Sequence, residues 1–181
     1  MVSGSRIKDW IQSDPQRMEA LQIASTLHLR DWCIAAGFVR NLIWDKLHKK
    51  NTLTPLNDVD LIYFDPDDTS EESDRAREGH LRSISVLPWS VKNQARMHLR
   101  NQDKPYTSTS DAMSYWVEME TAVGVRLNKQ GEIEFLAPFG IAKLFENSIT
   151  INDKRRKPNE FQQRIESKRW LSQWRNLRIS N

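Results

Sequence analysis

The stretch NDVDLIYFD at residues 57–65 decides how this chain is read. Its middle, residues 59–64, is β-branched and aromatic, too short for a helix of ordinary length, and bounded by Asn57-Asp58 and Asp65-Pro66. That pattern predicts a central strand. Side chains at i and i+2 of a strand project from one face, so Asp58 and Asp60 are expected side by side at its edge. Two adjacent carboxylates repel unless a proton or a cation compensates them. Magnesium uses one or two carboxylates as ligands, which makes the pair a candidate metal site. By itself an Asp-x-Asp is more often a turn with a capping aspartate, so its neighbours must decide.

Upstream, the apolar run WCIAAG at residues 32–37 predicts a buried strand ending in a tight turn at Gly37. FVRNLIWDKLHKK at residues 38–50 has apolar residues at helical spacing and lysines at its end, the mark of a helix. Strand, glycine turn and helix N-terminus together present free backbone N–H groups and a positive dipole end, which suits a phosphate. Gly37, Arg40 and Asn41 are therefore candidate phosphate-binding residues. As packing alone, Gly37 would be a turn glycine and Arg40 a surface residue.

Further out, Asp14 is placed to cap an N-terminal helix over residues 15–30. Residues 91–98 alternate in polarity and predict a half-buried strand, with Asn93 an exception on the apolar side. Its polar face would carry Lys92, Arg96 and His98 as possible phosphate ligands. A short helix is expected over residues 109–117, capped by Thr109 or Ser110. Residues 122–127 and 132–137 flank Asn-Lys-Gln-Gly and predict a hairpin. Helices are expected over residues 139–146 and 159–174. The sum is an α/β (α+β) protein, a mixed sheet of about five strands with flanking helices. One domain is expected over residues 1–181, with its core at 32–146.

The net charge is +3, unevenly spread. Residues 65–78 hold seven acids against two arginines, and residues 154–178 hold nine basic residues against two acids. The basic segment is either a solvated face or a weak polyanion-binding surface. Cys33 is the only cysteine, flanked by Trp32 and Ile34, and reads as a small buried hydrophobe. The histidines lack zinc-ligand spacing, and the six glycines form neither a dinucleotide fingerprint nor a nucleophile elbow. No apolar stretch approaches the roughly 20 residues of a membrane helix, and no signal core precedes residue 10. The expectation is a cytoplasmic protein.

A glycine turn followed by an Asp-x-Asp strand resembles the nucleotidyltransferase superfamily. The segments AGFVRNLIWDKLH (residues 36–48), NDVDLIYFD (57–65), WSVKNQARMH (89–98), TAVGVRL (121–127) and APFGIAKLF (137–145) are similar to one small bacterial family of nucleotidyltransferase-like proteins with no settled acceptor. The resemblance implies a two-metal Mg²⁺ site at Asp58 and Asp60, a phosphate turn at Gly37, and a third carboxylate on a later strand. Glu134 in Ile133-Glu134-Phe135 matches that third position, with Glu118 and Glu120 as alternatives. One departure is Phe38, where the superfamily usually has a second Gly or a Ser.

Three functions follow as expectations. The first is Mg²⁺-dependent transfer of a nucleoside monophosphate from an NTP to an acceptor hydroxyl, with Asp58, Asp60 and Glu134 catalytic and Gly37, Arg40, Asn41, Lys92 and Arg96 on the phosphates. The acceptor could be RNA, a protein or a small molecule. The second is a catalytically silent nucleotide-binding or interaction module on the same fold. The third is a metal-dependent nuclease.

Overall fold

Strand order explains where the paired aspartates end up. In a computed structural model, which describes residues 2–180, the elements run α1 (Val2–Gln12), α2 (Pro15–Ser25), β1 (Cys33–Ala35), α3 (Gly37–Leu47), β2 (Val59–Tyr63), α4 (Glu71–Ile84), β3 (Trp89–Asn93), α5 (Met97–Asn101) and α6 (Thr109–Met113). They continue with β4 (Gly124–Leu127), β5 (Ile133–Leu136), β6 (Ser148–Thr150), α7 (Pro158–Ser167), α8 (Trp170–Gln173) and β7 (Arg178–Ser180). Five strands form one mixed sheet in the order β3-β2-β1-β4-β5. β2 pairs with β3 in parallel and with β1 antiparallel; β1 and β5 both pair antiparallel with β4. β2 thus has a partner on both sides, as its apolar run predicts. β6 and β7 form a separate parallel ribbon.

The period of two along each strand sorts the side chains onto two faces. Ile34, Val59, Leu61, Tyr63, Val91 and Val125 are buried against the helices of the N-terminal half and α4. The opposite face carries Cys33, Ala35 and Ile62, covered by Met113 and Ala122. A further cluster gathers Trp44 of α3 with Trp170, Trp174, Phe161 and Ile165 from the C-terminal segment. Trp170 and Trp174 are each at most 2% exposed. Two indoles in a cationic segment therefore serve as anchors and not as an open stacking platform.

Caps account for several boundaries. The Asp14 side chain accepts from Arg17 N at the start of α2, as expected from sequence. Ser70 caps α4, whose first turn carries Glu71, Glu72 and Asp74 against the positive end of the helix dipole. α6 is capped by Ser108, one residue before the expected positions.

Four expectations are corrected. The N-terminal helix over 15–30 ends at Ser25, and α1 precedes it. The strand over 91–98 stops at Asn93, whose Oδ1 accepts from Ala95 N and turns the chain into a 3-10 turn and α5. The single helix over 159–174 is two helices, broken where Arg169 adopts a left-handed φ of 53°. The helix over 139–146 is a 3-10 turn at Ala142–Phe145, preceded by Gly140 at φ 77°.

The sheet is tightest at Gly124. A Cβ there would lie 2.4 Å from Cys33 Sγ. Gly124→Ala is expected to lower unfolding free energy in denaturant titration by about 1–3 kcal/mol, the usual cost of overpacking. In the Cys33→Ala background the same substitution should cost less, because the sulfur it strikes is gone.

Candidate nucleotide site

Because β1 and β2 run antiparallel, the end of β1 and its turn into α3 lie beside the start of β2. Ala35 stands opposite Asp60 in the register. Gly37, Arg40, Asn41, Asp58 and Asp60 line one cavity of ≈ 560 Å³. The expected meeting of the turn with the carboxylate pair is thus present, although Asp58 lies just outside the strand.

Gly37 itself does not make the turn. Ala36 carries it, at φ 59° and ψ −124°. That conformation is strained for a residue with a Cβ, at a cost of order 1–3 kcal/mol. Its N–H is held by Val123 O at 2.9 Å, and its carbonyl accepts from Arg40 N at 3.0 Å, so both neighbours fix it. Gly37 is the first residue of α3, where a Cβ would come within 3.2 Å of Asn41 Nδ2. The glycine therefore leaves room beside the helix N-terminus. The N–H groups of Gly37 and Phe38 point out of the helix without an intrahelical acceptor.

Arg40 is not a surface residue. It is 6% exposed. Its Nη1 donates to Thr121 Oγ1 at 2.5 Å, and Nε and Nη2 donate to Asn41 Oδ1. Its guanidinium carbon lies 5.0 Å from the Trp44 ring centre and 4.4 Å from that of Trp170. Burial pulls its pKa down to about 10, against the opposing field of Glu118.

Asp60 titrates above the ordinary carboxylate range, first because it is buried and then because Asp58 adds like charge; Lys168, Arg40 and Arg164 pull the other way. Arg164 and Lys168 come from α7 and its end, and both line the cavity. In the sequence they belong to an undivided basic tail. Helical spacing i,i+4 was the available signal, but nothing local showed which sheet edge that face would meet. Much of the tail is already neutralised. Lys154, Arg155, Arg156, Lys157 and Arg164 pair with Asp111, Asp103, Asp153, Glu160 and Glu118.

The candidates for a third carboxylate are placed elsewhere. Glu134 lies on the outer strand β5, opposite Arg126, whose Nε is 3.1 Å from its Oε2. Three strand spacings, about 14 Å, separate β5 from β2. Glu118 is buried and takes both Nε and Nη2 of Arg164, at 2.5 and 3.1 Å. Glu120 accepts from Ser148 Oγ, Thr150 N and Thr150 Oγ1, while burial raises its pKa. Among the described residues, no group of three or more His, Cys, Asp or Glu side chains is gathered to hold a metal ion. The position beside Asp60 on β3 is Ser90.

Lys92 and Arg96 do not share a strand face. Lys92, two residues along β3, faces a neighbouring cavity of ≈ 390 Å³ that also includes Asp60, Thr121 and Arg164. Arg96 lies past the strand end and pairs with Asp74 at 2.5 Å. His98 is on α5, its Nδ1 2.9 Å from Ala95 O and its ring edge-on to Tyr106.

The matched family model, described as nucleotidyltransferase, covers residues 22–179. The chain belongs to this nucleotidyltransferase family. Among solved structures, it is similar to one determined by NMR and described as revealing a CCA-adding enzyme head domain, with 34% identity, a TM-score of 0.85, and 98% of this chain and 95% of that one covered. Two more distant structures share the fold. A CCA-adding enzyme with CTP matches at 12% identity and TM-score 0.61, over 97% of this chain and 43% of that one. A tRNA-processing enzyme with CTP matches at 19% identity and TM-score 0.54, over 90% and 43%. The chain thus spans less than half the length of these two larger enzymes. No curated protein matches it. No described helix is long and apolar enough to cross a membrane.

The raised pKa of Asp60 has a consequence for this family member's stability. Its folded pKa lies above the unfolded value, so the folded state binds the proton more tightly. The resulting stabilisation is full below the unfolded pKa of 3.8 and is lost as pH rises through the folded pKa. Asp60→Asn should remove that loss. Thermal melts without metal are expected to show a Tm difference, variant minus wild type, that increases from pH 4 towards neutrality. A difference independent of pH would show that Asp60 ionises without strain.

Proposed function

We propose that this chain is a nucleotide-binding module on the nucleotidyltransferase fold, which takes an NTP with Mg²⁺ in the larger cavity and does not transfer it. The observation that carries the reading is the donor set at the start of β2: two carboxylates lining one cavity, with Ser90 and not an acid beside Asp60. Such a pair fits a magnesium ion whose other ligands are water and substrate phosphates. Asp58 and Asp60 would hold the ion, which when bound neutralises charge on the phosphates. Two bridged ions would need a further carboxylate, and Glu134, Glu118 and Glu120 are each engaged elsewhere.

The chain's own groups account for the rest of the binding. Free N–H groups of Gly37 and Phe38 at the N-terminus of α3 suit a phosphate oxygen. Lys168 brings a positive charge from the opposite wall of the cavity, with no ion pair among the described residues, and Arg164 adds its field. Arg40 is held by Thr121 and Asn41, so it shapes the potential of the site and keeps the α3 turn in place.

A second reading is favoured by the family match over residues 22–179 and by the likeness to a CCA-adding enzyme head domain. It is Mg²⁺-dependent transfer of a nucleoside monophosphate to an acceptor hydroxyl on RNA, a protein or a small molecule. Calorimetry with each NTP and Mg²⁺ tests binding, and incubation with α-labelled NTPs, with and without RNA or cell extract, tests transfer. Binding without labelled product is expected. Asp58→Asn and Asp60→Asn should each weaken Mg²⁺-NTP binding about tenfold or more, the loss of one charge-assisted ligand. Label appearing in any acceptor would establish the transfer reading, and undiminished binding by both variants would remove the pair from the site.

A further inference from the structure

A third cavity, of ≈ 340 Å³, opens beyond the end of β3. Arg75, Lys92, Arg96 and Arg100 line it against one acid, Glu71. Among the described residues Lys92 and Arg100 make no ion pair, and Arg75 pairs only with Glu72, at an exposed helical i,i+3 spacing. Such surface pairs hold a side chain weakly.

Arg96 is the unusual member. Its side chain is 11% exposed, and Nη2 is spent on Asp74 at 2.5 Å. Its Nε and Nη1 are buried and have no hydrogen-bond partner. Buried donors are rarely left so, because losing water without gaining an acceptor is unfavourable. Arg96 cannot turn away to find one. Asp74, 1% exposed, also accepts from Tyr63 Oη at 2.6 Å and from Asn93 N at 3.0 Å, and so is fixed by β2 and β3 together. Asp74 anchors the guanidinium through one nitrogen and leaves two donors unused, beside three further cations.

We propose that this cavity is a phosphate site, distinct from the Asp58–Asp60 cavity, which takes the terminal phosphate of a phosphomonoester. An anchored guanidinium and flanking cations match a dianion with three equivalent oxygens better than they match a single carboxylate. Preorganisation of Arg96 by Asp74 means that little is lost in ordering it when the ligand arrives. The site is continuous with the carboxylate pair. Lys92 and Arg100 line both this cavity and the one containing Asp60. Lys92 stands opposite Ile62, two residues along from the Ser90–Asp60 pair, about 7 Å of strand. A ligand whose phosphate is held here can therefore extend its sugar toward Asp60.

The test is a titration of the full chain with inorganic phosphate, and then with a nucleoside 5′-monophosphate and the matching nucleoside. It is followed by ¹⁵N NMR of the arginine Nε–H groups, without Mg²⁺ or NTP. The Arg96 Nε–H resonance is expected to shift with phosphate and with the monophosphate, and to stay still with the nucleoside. Arg100→Gln, at an exposed position, should weaken the monophosphate about tenfold, as for one lost charge-assisted bond. Arg96→Gln leaves Asp74 uncompensated and could disturb folding, so Arg100→Gln carries the decision. A static Arg96 signal across the millimolar range, or equal affinity in Arg100→Gln, would overturn the proposal. A shift with the nucleoside alone would do so too, because the recognised group would then not be the phosphate. Since neither metal nor triphosphate is present, the outcome is independent of whether the larger cavity binds NTP.

Discussion

A guanidinium on the first turn of α3 has lost almost all its water and has no carboxylate within ion-pairing distance among the described residues. Arg40 is instead held by neutral partners: the Thr121 hydroxyl, the Asn41 amide, and the ring faces of Trp44 and Trp170. Burying a charge without a counter-ion is costly, which is why its pKa falls to about 10. The arrangement persists because the partners come from three parts of the chain. Thr121 precedes β4, Asn41 and Trp44 belong to α3, and Trp170 begins α8. Removing any of them would leave the cation less compensated. The sheet, the first helix of the site and the C-terminal segment are therefore stabilised as one unit.

That dependence extends through Asp45, one turn further along α3. It is fully buried and accepts from Thr54 N, Thr54 Oγ1 and Trp174 Nε1 at 2.6, 2.8 and 2.8 Å. One carboxylate thus fixes the loop that leads into Asp58 and the indole that ends the C-terminal cluster. Glu118 does the same for Arg164. Among the described residues the aspartate pair contributes no such bond of its own. Its position comes from β2, and the charges that face it come from elements pinned by Arg40, Asp45 and Glu118.

What could be read from the sequence follows the range of the interactions involved. β1, α3, β2 and the β4–β5 hairpin rest on local pattern: apolar runs, helical spacing, and Gly131 at φ 77° in the connecting turn. The alternating pattern runs past β3 because polarity keeps alternating after the strand has ended. The sign was Asn93, a polar residue on the apolar side. It is fully buried, bonds to Asp65 and Asp68 on the far side of the loop, and caps the turn that follows. Glu134 fits a hydrophobic-acid-hydrophobic strand pattern, but that pattern holds equally for a residue paired with Arg126 across a hairpin. Which strand lies next to β2 depends on topology, and no local pattern carries it. Arg164 and Lys168 were hidden for the same reason: the break at Arg169 and the docking of the tryptophans decide where their helix face points.

The electrostatics of Asp60 then set what the site can bind. Lys168, Arg40 and Arg164 all favour its charged form, yet its pKa remains raised, so burial and Asp58 together outweigh them. The protein's own cations thus do not offset the burial of Asp60 and the like charge beside it. Arg164 is committed to Glu118, and Arg40 to Thr121 and Asn41, so neither can move in to do so. On the proposed reading, proton and metal compete for the same oxygens, and a ligand that brings a divalent cation would gain from the uncompensated charge. The same cations then face the other way in effect. Held off the carboxylates, Lys168 remains available to an anionic group, and on the proposed reading the site would favour a metal–phosphate pair over either ion alone.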